Sequence, residues 1–74
     1  MKVLDTVVLD KDSPEWGLRR GDVGAVVEVY EPDGLAVEFV TGAGKTQALV
    51  TLKKAEVRPV SETDILAVRS LNAA

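Results

Sequence analysis

The chain has 74 residues, 46% of them hydrophobic and 28% charged, with no cysteine and no histidine. That is the size of one small domain, and it removes disulfides, thiol nucleophiles, zinc fingers and imidazole acid–base chemistry together. The net charge of −3, from nine basic and twelve acidic residues, argues against the basic footprint that nucleic-acid binders carry.

Residues 3–9, Val-Leu-Asp-Thr-Val-Val-Leu, are short and β-branched, and read as a strand. Both of its faces carry apolar residues, so part of it is expected to be covered on both sides. Residues 10–21 form a long polar loop punctuated by Pro14, Gly17 and Gly21, with Leu18 as its aliphatic anchor. Residues 22–31 read as the clearest strand, with Val23, Ala25, Val27 and Val29 directed inward and Gly24, Val26, Glu28 and Tyr30 outward. Gly24 within that strand predicts a bulge or bend.

Pro32-Asp33-Gly34 predicts a tight turn, with glycine in a positive-φ position. Residues 35–40 read as the return strand, burying Leu35, Val37 and Phe39. A Gly-rich turn over 41–44 leads to a strand over 45–52, with Ala48, Val50 and Leu52 inward and Leu49 outside. Lys53-Lys54-Ala55 reads as a short connection with one 3₁₀ turn, and residues 56–60 as a closing strand whose Pro59 requires an edge. Residues 61–71 change period. Ser61 is a good N-cap, and Ile65, Leu66, Val68 and Leu71 make an apolar stripe at helical spacing, so a helix is expected there. It must dock to persist, and residues 72–74 are expected to fray.

Five strands at about ten-residue spacing indicate a small all-β antiparallel barrel over residues 1–60, followed by a C-terminal helix and tail over 61–74 in the same domain. No apolar run reaches the ~18 residues of a membrane span. Residues 1–5 hold one base and then an acid, unlike a secretory signal. A cytoplasmic setting without cofactor or metal is the expectation.

Three motifs are weak. Gly42-Ala-Gly-Lys45-Thr46 ends like a phosphate loop, but Phe39 stands where the pattern needs glycine, so a hairpin turn is the better reading. Asp10, Asp12 and Glu15 lack the spacing of a calcium loop. Glu28 and Glu38 share an outward face, but a valine-packed domain of this size leaves them little pocket for acid–base catalysis. No enzymatic activity is expected.

The residues that could carry function are therefore interaction residues. Trp16 sits in a polar loop beside Arg19 and Arg20, a pairing common at binding hot spots, or else it caps an open end of the barrel. Tyr30, Val40 and Leu49, with Val26, make an apolar outer face, to which the C-terminal helix adds Ile65, Val68 and Leu71. That is more apolar surface than one small domain leaves in water, so a dimer or higher oligomer is expected, with a heterologous protein as a further partner.

The blocks Leu4-Asp-Thr-Val-Val-Leu9, Gly17-Leu-Arg-Arg-Gly-Asp-Val-Gly24, Val26-Val-Glu-Val-Tyr30 and Val37-Glu-Phe-Val40 resemble a bacterial family of small proteins, common in cyanobacteria and known as a domain of unknown function. The resemblance runs from residue 3 to about residue 60. It implies an SH3-like barrel, no established activity, and an antitoxin or immunity role toward a neighbouring gene product as one alternative. Residues 20–27, Arg-Gly-Asp-Val-Gly-Ala-Val-Val, also look like the turn and strand of the KOW motif. That distant likeness implies RNA binding through Trp16, Arg19 and Arg20 as the other alternative.

Overall fold

A computed structural model of the chain describes residues 1–71. The fold is mainly β, with five strands in sequence: β1 (Thr6–Leu9), β2 (Val23–Tyr30), β3 (Gly34–Val40), β4 (Thr46–Lys53) and β5 (Val57–Pro59). They form one antiparallel sheet in the order β4-β3-β2-β1-β5. Two 3₁₀ turns complete the frame, Pro14–Trp16 in the long loop and Lys54–Glu56 before β5.

The sheet curls around a core of Val7, Leu9, Leu18, Val26, Leu35, Val37, Phe39, Ala48, Val50, Leu52 and Val57. Alternate residues of β3 and β4 deliver their members of that core, with Ala36 of β3 buried on the opposite face, and Leu18 carries the loop back onto it. Val8 points the opposite way from Val7 and Leu9 and is buried as well, so β1 is covered on both faces.

Five expectations need correction. No ladder joins β4 to β5 among the described residues, so the sheet is open rather than a closed barrel. β5 is only three residues long and ends at Pro59, which has no N–H to extend a ladder. β1 starts at Thr6 because Lys2–Asp5 form a turn, with Leu4 at φ 74°. The first half of β2 faces the other way: Gly24 and Val26 point inward, and Val23 and Val27 are exposed. A bulge between Val26 and Glu28 then resets the phase, so that Val29 again packs on the core. Gly34 is not in a positive-φ conformation; it opens β3 opposite Tyr30.

The expected helix over 61–71 is the largest departure. Residues 61–64 make a single turn, in which the Asp64 N–H donates to the Ser61 carbonyl at 3.1 Å. The Asp64 carboxylate accepts the Ser61 N–H at 2.7 Å and a bidentate pair from Arg58 at 2.8 and 3.0 Å. From there residues 65–70 run without helix or strand to Arg69, which is held by Asp22. Eleven residues with β-branched Ile65 and Val68 gain little from helix formation alone, and the two aspartate–arginine anchors hold them as an irregular strap. The expected frayed end, 72–74, lies outside the described residues.

Candidate functional site

The strap fixes where the candidate surface lies. Arg58 stands opposite Val8 on β5, and Val23 stands opposite Val8 on β2. The anchors of the strap are Arg58, through Asp64, and Asp22, the neighbour of Val23, through Arg69. Two strand spacings of ~4.8 Å separate β5 from β2, while five extended residues reach up to ~17 Å. Residues 64–69 can therefore pass over β1, where the outward-facing Val8 is 6% exposed.

Where the strap meets the end of the sheet it leaves an open groove of about 460 Å³. Val23, Phe39 and Val40 line it from the sheet, Leu18 from the loop, and Val68 and Leu71 from the strap. A second hollow of about 340 Å³ lies beside it, bordered by Pro14, Gly17, Arg19, Gln47, Arg69 and Leu71.

Asp22 lines the groove, and its partner Arg69 borders both. The Asp22 carboxylate accepts Arg69 Nε at 2.8 Å and Nη2 at 2.6 Å, and the Arg19 backbone N–H at 2.8 Å. The Arg69 guanidinium holds the Asp22 carboxyl below the usual carboxylate range, against the opposing effect of partial burial, and the Arg19 N–H adds to the shift. Arg69 Nη2 also donates to the Gly17 carbonyl at 2.9 Å. Gly17 has φ +70°, which turns the chain after the 3₁₀ turn, and a Cβ there would lie 3.1 Å from Gln47 Nε2.

The expected interaction residues divide among several places. Val40, Val68 and Leu71 border the groove, and Arg19 borders the hollow. Trp16 stands nearby on the 3₁₀ turn, 46% exposed, so it does not serve as a buried cap; its carbonyl accepts Gln47 Nε2 at 3.3 Å. Arg20 turns away, its Nε 3.1 Å from Asp10 and its N–H 2.9 Å from Asp12. The loop acids thus tie the loop together, and Arg20's charge is partly spent there. Tyr30 lies at the far end of β2, with its hydroxyl 3.3 Å from Glu28, whose charge raises the phenol pKa. Leu49 is exposed on β4 opposite Glu38, and Ile65 is exposed on the strap. Val26, expected outside, is fully buried in the core.

Glu28 and Glu38 are not a pair. Glu38 accepts the Thr46 hydroxyl at 2.6 Å, and neither carboxylate lines the groove. Residues 42–46 form a hairpin that leads into β4, with the Thr41 N–H donating to the Lys45 carbonyl at 2.8 Å. Among the described residues no three His, Cys, Asp or Glu side chains gather as metal ligands, and no helix is long and apolar enough to cross a membrane.

Asp22, Arg69, Arg58 and Asp64 were not among the residues expected to matter. Asp22 and Arg69 are 47 residues apart, and nothing local in the sequence links them. The Arg58–Asp64 spacing is short, but a helical reading of 61–71 hides it.

A family model described as "Domain of unknown function (DUF4926)" matches residues 3–59. No curated protein and no solved structure matches the chain.

Proposed function

The chain belongs to that family, whose model spans most of its length, and from this premise we propose a small SH3-like module that works by binding protein, first of all a second copy of itself. Support for the SH3-like reading comes from the strand order, with β5 returning to β1, from the long loop after β1, and from the 3₁₀ turn before β5. The observation that carries the binding reading is the apolar rim of the groove. Val40 is 58% exposed and Val68 fully exposed, with Val23 and Leu71 beside them. Burial of such a rim drives association, and the charged neighbours Asp22 and Arg19 set orientation. The module has no catalytic role in this reading. Its cysteine-free composition suits the reducing cytoplasm, where we place it.

Light scattering on the full chain at rising concentration tests the reading. The expected result is a mass moving from the 7.9 kDa of one chain toward twice that value. Val40→Asp places a charge on the rim and is expected to return the mass to one chain. A single-chain mass up to ~1 mM, a concentration at which even weak specific pairs form, overturns it.

A further inference from the structure

Residues 60–71 lie beyond the matched family region, yet the anchor of their far end lies inside it. Arg69 meets both oxygens of Asp22 and the Gly17 carbonyl, three acceptors that the forked donors of one guanidinium reach together. Asp22 is held in place for this by the Arg19 N–H. Beside the ion pair runs the groove, with Phe39 and Val40 on one side and Leu71 on the other.

We propose that Asp22, the Gly17 carbonyl and the adjoining groove form a seat for an extended, arginine-centred segment, and that in the associated form the occupant is residues 64–71 of a second copy. This rests on the self-association reading and names the contact that carries it. Charge complementarity between Asp22 and Arg69 is built into each copy of the chain. The strap has no helix or strand of its own and leaves its core through a single turn at 61–64, so it can be exchanged without breaking a regular element. Within one chain Ile65, Leu66 and Val68 remain in water, at 91%, 68% and 100% exposure. An exchanged pair repeats the intrachain contacts and carries those exposed side chains to the junction between the two copies, where further burial is open to them. In a single chain the tethered strap holds the seat at an effective concentration in the ~mM range, so the site in trans becomes visible when the internal latch is cut.

The test uses the full chain and a synthetic peptide of residues 61–71, read by the fluorescence of Trp16, the chain's single tryptophan and the neighbour of Gly17. Arg69→Ala opens the seat and is expected to bind the peptide roughly tenfold more tightly than the wild-type chain. Adding Asp22→Asn to that variant is expected to abolish binding. A peptide with Arg69→Lys is expected to bind more weakly, since lysine cannot form the forked pair. If Arg69→Ala does not fold, Arg69→Lys in the chain serves instead as the weakened latch. Equal binding by the wild type and the opened variant overturns the proposal, as does binding that survives Asp22→Asn. Light scattering separates the two levels. An oligomeric wild type whose Arg69→Ala, Asp22→Asn variant keeps the same mass overturns the seat and leaves self-association standing. A wild type of single-chain mass throughout overturns self-association and the second-copy occupant with it.

Discussion

Gly24 shows how tightly one position is constrained. A Cβ there would lie 2.7 Å from Val37 Cγ1, 2.9 Å from the Glu38 carbonyl oxygen and 2.9 Å from Phe39 Cε1. The carbonyl is backbone and cannot swing aside. Gly24→Ala is therefore expected to cost ~1–3 kcal/mol of stability in urea denaturation, the usual cost of overpacking a core. Gly42→Ala meets nothing within 4 Å and is expected to change stability by less than ~0.5 kcal/mol. The same measurement can verify the facing of β2. Val26→Asp puts a charge into the core and is expected to unfold the chain, while Val27→Asp falls on exposed surface and is expected to be tolerated. The reverse order would mean that β2 pairs one residue out of register. Leu4 is the residue held against its preference, at φ 74° with its N–H bonded to the Val26 carbonyl at 2.7 Å. Leu4→Gly removes the Cβ that disfavours this conformation but adds unfolded-chain entropy, so the expected net change is within ~1 kcal/mol, toward stabilisation.

Among the elements, those ruled by nearest neighbours were legible in the sequence. Leu35, Val37 and Phe39, and Ala48, Val50 and Leu52, alternate as a half-buried strand must, and all six are buried. Leu18 as the anchor of the loop and Pro59 on an edge strand follow from equally local reasons. β2 departs from the pattern expected of it because the irregularity is not at Gly24. The extra residue is at Val27, and glycine is needed at 24 to clear the β3 side chains. The strap is not legible in the same way, because a helical stripe is a local pattern, whereas its conformation is set by Arg58 and Asp22 elsewhere in the chain. These anchors and the Lys11–Glu56 pair predict a pH response. Arg69 at Asp22, Lys11 at Glu56 and Arg58 at Asp64 each hold the carboxyl below its ordinary range. A carboxylate with a lowered folded-state pKa stabilises the fold fully above its unfolded value, here 3.8 to 4.5, and loses that contribution as pH falls through the folded value. Thermal melts are expected to be level from near neutrality down to about pH 5 and to fall steadily in more acid solution. Asp22→Asn, which removes one of these carboxylates, is expected to shallow that acid slope. An acid limb as steep as the wild type's would show that Asp22 titrates alike in the folded and unfolded chain.

For the molecule as a whole, the edges of the sheet matter as much as its core. β4 offers eight residues along one edge, with Lys45 and Lys53 at its ends, while β5 offers three along the other, the last of them proline. Lysines and proline at open edges discourage strand-on-strand addition. If the chain associates as proposed, the contact is expected through side chains at the groove and strap rather than by extension of the sheet. Raised salt weakens the Arg69–Asp22 pair while leaving apolar contacts and backbone hydrogen bonds largely untouched. A mass that falls toward one chain between low salt and ~0.5 M salt is the expected outcome; a mass indifferent to salt would mean that the ion pair adds nothing to the association.

The pairing of β1 with β5 sets the order in which the sheet can be completed as the chain is made. β2, β3 and β4 pair with their neighbours in sequence and can assemble as they emerge. β1, earlier in the chain than all of them, holds one free edge until residues 57–59 pair with it. The first strand in the chain thus gains its second neighbour last, and a chain that lacks residues 57–59 would leave that edge of β1 open.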